Sequence, residues 1–164
     1  AARFALGIVG GGLEAEAHAR FVLLRIGSAL LLDVRDQARG LAQAQYISPI
    51  RDAIAAGMKP TNHTDFVVAP LDQMMMLWSA VNRISRAGAS VDPGQRITPY
   101  EALQAMTINV ASQYDEADTK GSLVKGKRAD MVILDKNPLK VDPMTIRDIK
   151  IQETIKDGKT IYKK

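Results

Sequence analysis

Apolar and polar positions divide the chain into three stretches with different periods. In residues 1–44 an apolar run, Phe4 to Val9, enters Gly10-Gly11-Gly12. A helix-forming stretch from Leu13 to Ile26 follows, free of proline. Ala29 to Val34 is apolar enough for either a buried strand or a continued helix, and periodicity does not separate the two. In residues 45–118 Ser48 is expected to cap a helix that starts at Pro49, carries Ile50, Ala53 and Ile54 on one face, and stops at Gly57. Met58 to His63 reads as a short extended segment and Thr64 to Pro70 as irregular. Asp72 is placed to open a helix through Arg86, and Ala87 to Arg96 carries turn residues. Thr98-Pro99-Tyr100-Glu101 has the spacing of a capping box and predicts a helix to about Tyr114. In residues 119–164 the period falls to two. Ala129 to Leu134 and Ile149 to Ile155 read as strands, and Asp157-Gly158 predicts a hairpin to Lys159–Tyr162.

This order gives an α/β chain with a small antiparallel sheet at its end. The composition agrees: at 164 residues, 46% hydrophobic and 24% charged, it has the make-up of a globular protein with a real core. The longest near-apolar stretch, Phe21 to Val34, is interrupted by Arg25 and Asp33, so no membrane span is expected. The absence of cysteine removes disulfides and thiolate metal sites and fits a reducing, cytoplasmic setting. The start lacks a basic stretch followed by an apolar core, so no secretory signal is read there. The 22 basic and 18 acidic residues are dispersed and aromatics are few, which argues against nucleic acid as a partner. Lys120 to Arg128, the one dense basic cluster, is expected to be a solvated sheet edge.

Two further patterns bear on fold and chemistry. Gly121-Ser122-Leu123-Val124-Lys125-Gly126-Lys127-Arg128-Ala129-Asp130-Met131-Val132-Ile133-Leu134-Asp135 resembles the segment by which amidohydrolase superfamily proteins leave their barrel and enter a small β-sandwich. Glu101-Ala102-Leu103, continuing to Thr107, Asn109 and Ala111, resembles the family's last helix. Asp157 to Tyr162 resembles its closing hairpin, and Asn62-His63-Thr64-Asp65 falls where the family carries a metal-site aspartate after its eighth strand. Ile47 to Arg51, with Pro70-Leu71-Asp72, points to the branch called amidohydrolase family 3, the YtcJ-like proteins. The motifs run from Tyr46 to Tyr162 and leave residues 1–44 unaligned. The resemblance implies the end of a (β/α) barrel of a metal-dependent hydrolase, joined to part of its β-sandwich. A partial barrel leaves strand edges bare, so a homo-oligomer is expected.

The candidate chemistry centres on His63 and Asp65. Residues two apart on a strand share a face, so both are expected to project into one space at a strand end. A carboxylate there can take a proton from an attacking water and return it to a leaving group. The resemblance implies that Asp65 does this beside a divalent metal, with zinc as the ion, on a small-molecule amide, carbamate or ester. His63 would ligate, orient or bind substrate. A complete family member also carries a His-x-His pair, a Lys or Glu, and two further histidines; this chain has two histidines in all, His18 and His63. Catalytic zinc typically takes three protein ligands. A non-catalytic truncated form or interaction module is therefore the alternative. A third reading is a dinucleotide site: Gly10-Gly11-Gly12-Leu13-Glu14-Ala15 fits G-x-G-x-x-A, with Asp33 placed to hold a ribose.

Overall fold

The computed structural model describes residues 4–7, 47–66 and 69–164. Gly10 to Gly12, the stretches Leu13–Ile26 and Ala29–Val34, His18 and Asp33 all lie outside the described residues. In order the elements are β1 (Phe4–Gly7), α1 (Ile50–Ala55), α2 (Gln73–Asn82), α3 (Pro99–Met106), α4 (Ile108–Gln113), β2 (Met131–Leu134), β3 (Ile151–Lys156) and β4 (Lys159–Lys163). Short 3-10 turns occupy Pro93–Gln95 and Pro143–Asp148. No helix among the described residues is long and apolar enough to cross a membrane.

The four strands form one antiparallel sheet in chain order. Residues 4–7 of the first stretch join it, with Phe4 opposite Leu134 and Gly7 opposite Met131. Buried and half-buried positions alternate along β2, as a period of two requires when one sheet face is covered. The expected hairpin is present. Asp157 and Gly158 have φ of 48° and 75°, and positive φ at both central residues gives the turn the hand that matches the strand twist. Among the described residues every strand pairing is antiparallel. The barrel strand expected over Met58 to His63 is not formed. That segment is threaded instead between helices, where Asn62 N–H donates to the Ala105 carbonyl at 3.0 Å.

Helix α2 is the hub of the core. Asp72 caps it, accepting from Met75 N–H at 2.9 Å. Its buried Leu77 and Trp78 pack with Ile50, Ile97, Leu103, Leu134, Ile146 and Ile149 in one cluster. Burying one such side chain is worth about 1.5–3 kcal/mol. Trp78 has no lone indole: Nε1 donates to the Met144 carbonyl at 3.0 Å, which fastens α2 to the Pro143–Asp148 turn. Met74 is buried in this core.

Three expectations about helix ends need correction. Ser48 does not cap α1: it sits at φ 53°, and the Gln95 side-chain oxygen accepts from Arg51 N–H at 3.0 Å and Asp52 N–H at 3.2 Å. The cap thus arrives from a residue distant in the chain. Helix α2 stops at Asn82 and not Arg86, because Arg83 turns left-handed and the chain folds back so that Val91 N–H reaches the Arg83 carbonyl at 2.8 Å. The helix from Thr98 breaks at Thr107, whose hydroxyl donates back to the Leu103 carbonyl at 2.7 Å. The predicted capping box is present in full, and its hydrogen bonds from Thr98 hold the Glu101 carboxyl below the usual carboxylate range.

Candidate active site

The site is built from a buried linker that carries a turn at its end. Pro60 is fully buried, and Thr61 and Asn62 are each 5% exposed. Three helices hold this linker. Ala105 of α3 accepts from Asn62 N–H, Met76 of α2 faces the Asn62 amide nitrogen at 3.5 Å, and Asn109 of α4 donates to the Pro60 carbonyl at 3.0 Å. The chain then bends at Asp65, which takes a left-handed φ of 53°. Asp65 N–H donates to His63 Nδ1 at 3.0 Å. His63 and Asp65 are therefore brought together, but by a turn and not by alternation on a strand.

That hydrogen bond engages Nδ1 and so lets His63 orient the turn. His63 Nε2 and Asn62 Oδ1 are buried without a hydrogen-bond partner among the described residues. Among the described residues no three His, Cys, Asp or Glu side chains gather as a metal site. The described residues around Asp65 thus do not by themselves supply a three-donor set. Asp115, Glu116 and Asp118 do not form one either: Asp115 lies in a left-handed turn and Glu116 pairs with Lys120 at 2.5 Å.

The C-terminal motif is architectural. Lys120 is only 7% exposed, and Lys127 Nζ donates to the Ala117 carbonyl at 2.5 Å and to Ser122 Oγ at 2.8 Å. These two lysines tie a loop together, which corrects the expectation of a solvated edge for them; Lys125 and Arg128 are exposed. Asp130, the residue before β2, accepts from Asp157 N–H at 2.7 Å and so fastens the start of β2 to the hairpin turn. Sequence reasoning missed Asn62, Gln95 and Arg83 as structural centres. Asn109 was visible as the polar residue of the last-helix motif, but its partner at Pro60 was not.

Comparison with known proteins identifies this arrangement. The sequence matches the Amidohydrolase family over residues 13–162, which reaches well before Tyr46 and so includes most of the segment that the motifs left unaligned. An N-substituted formamide deformylase of Arthrobacter pascens is 30% identical over 71% of this chain and 21% of its own length. The amidohydrolase YtcJ of Bacillus subtilis is 26% identical over 68% of this chain and 22% of its own length. The chain therefore spans about a fifth of the length of these relatives. A metal-dependent hydrolase of Pyrococcus horikoshii shares the fold with a TM-score of 0.61, at 22% identity, over 74% of this chain and 26% of its own. With the linker, the turn and the closing hairpin in the order that the motifs require, the chain belongs to the amidohydrolase family, in its family 3 branch.

Proposed function

We propose that this chain forms the end of the active centre of a hydrolase that cleaves an amide, carbamate or ester bond, with Asp65 as the proton shuttle. The observation that carries this reading is the turn at Asp65, set by His63 at the end of a linker clamped by three helices. Such support keeps a carboxylate in one position without reorganisation during the reaction. In the proposed step a water oxygen bonds to the carbonyl carbon while Asp65 takes a proton from that water. The carbon–nitrogen bond then breaks, and Asp65 returns the proton to the leaving nitrogen, giving an acid and an amine. His63 acts as a positioning residue.

We infer that a divalent ion, with zinc as the first candidate, belongs to the complete centre. Its remaining ligands would come from outside the described residues, since these do not hold an ion by themselves. Family membership and the name of the Pyrococcus hydrolase support a metal. N-substituted formamides are the first substrates to test, because the Arthrobacter relative is named for them. The expected outcome is release of formate and amine that stops on chelation and returns with zinc. Turnover that persists unchanged in a strong chelator would contradict the metal assignment.

A second reading is a non-catalytic module, and the absence of a three-donor cluster among the described residues favours it. Purified protein without bound metal and without turnover would select it. The dinucleotide reading rests on Gly10 to Gly12, outside the described residues. We further propose that copies of the chain associate, because β4 forms a sheet edge exposed along its whole length. Light scattering is expected to give at least twice the 17.8 kDa chain mass, and a monodisperse monomer would count against it.

A further inference from the structure

A cleft of about 540 Å³ opens between the start of α2 and the face of the β3–β4 hairpin, and none of its described lining residues belongs to the linker that ends at Asp65. Its walls are partly apolar, with Leu71, Ile149, Ile151 and Tyr162 among them. Three cations also line it: Arg147, Lys150 and Lys164. Among the described lining residues the one side-chain carboxylate is Asp72, whose oxygen is occupied by Met75 N–H at the helix start. The cleft therefore carries a positive excess over an apolar floor. Arg147 is itself fixed, lying 4.8 Å from the centroid of the Trp78 ring, and a stacked guanidinium keeps its N–H edges available. Thr154 and Tyr162 add hydroxyl groups.

We propose that this cleft binds a small organic carboxylate with an aromatic or aliphatic body. The apolar wall takes the body and the three cations take the charge. The volume lies within the range of small-ligand pockets, roughly 300–1,000 Å³, which favours a small molecule over an extended acidic chain. This site is independent of the role assigned to Asp65, and hydrolytic activity plays no part in its test.

Trp78 is the only tryptophan, and it touches the cleft through Arg147, so its emission reports occupancy. The probe is 1-anilinonaphthalene-8-sulfonate, with neutral N-phenyl-1-naphthylamine as the control and 4-phenylbutyrate as the competing carboxylate. Saturable binding of the sulfonate is expected, with a change in Trp78 emission, displacement by 4-phenylbutyrate and weakening by salt. Arg147→Gln and Lys150→Gln are each expected to weaken it roughly twofold to fivefold, the scale of one solvent-exposed ion pair. Lys150 is exposed, so its variant guards against misfolding as the cause. Equal binding of the neutral naphthylamine, with no effect of either variant, would overturn the proposal. So would capture of polyglutamate without displacement by phenylbutyrate.

Discussion

Gly121→Ala is expected to lower stability by about 2–5 kcal/mol, summing a left-handed backbone cost of about 1–2 with an overpacking cost of about 1–3. Gly121 has φ 81° and lies where the loop after α4 returns against that helix. A Cβ built there would sit 2.7 Å from Ala111 Cβ, 2.9 Å from Ile108 Cα and 3.2 Å from the Thr107 carbonyl oxygen. Two of these neighbours are backbone and cannot swing away. Gly57 is the control. Its φ is 77°, but nothing lies within 4 Å of the added atom. It closes α1 in a Schellman motif, with Met58 N–H on the Ala53 carbonyl at 3.0 Å and Gly57 N–H on the Ile54 carbonyl at 2.9 Å. Gly57→Ala is expected to cost only about 1 kcal/mol. Urea denaturation of both variants separates crowding from conformation, and equal losses would refute the packing account.

Arg83→Ala is expected to cost about 3–5 kcal/mol, because three carbonyl oxygens lose their donor and each loss is worth about 1–3 kcal/mol when the group is buried. Arg83 is 4% exposed and uses its whole fork. Nε donates to the Val91 carbonyl at 3.2 Å, and the two terminal nitrogens donate to the Ser48 and Ile47 carbonyls at 3.2 and 2.6 Å. It thus holds the approach to α1 against the loop after α2. Desolvation lowers its pKa, partly offset by Asp92, yet a guanidinium stays charged at neutral pH. Arg83→Lys keeps a charge but replaces a planar fork with a point donor, so it is expected to recover less than half of the loss. Full recovery by lysine, read in the same urea series, would show that charge alone matters here.

Local chemistry was legible where the partner lies close in sequence. The Thr98–Glu101 box, the Asp72 cap and the Asp157-Gly158 turn are each settled within a few residues, and all three are present. Distant partners were not legible. Ser48 satisfies the local rule for a cap, but its left-handed backbone leaves the N–H groups to Gln95. Lys120 and Lys127 look like a solvated cluster until the loop folds their ammonium groups onto Glu116, Ala117 and Ser122. At the candidate site the pairing of His63 with Asp65 was legible but its geometry was not. Spacing by two predicts a shared strand face, whereas the imidazole accepts the Asp65 N–H and makes a turn.

The central claim is that the Asp65 carboxylate moves the proton in hydrolysis, and kcat of Asp65→Asn on an N-substituted formamide tests it most directly. Asparagine nearly preserves shape and suits a left-handed turn, so thermal stability should stay close to wild type. The account predicts a kcat loss of about 10²–10⁴, the usual contribution of a general acid–base group. A folded Asp65→Asn protein that hydrolyses the formamide at the wild-type rate would contradict it.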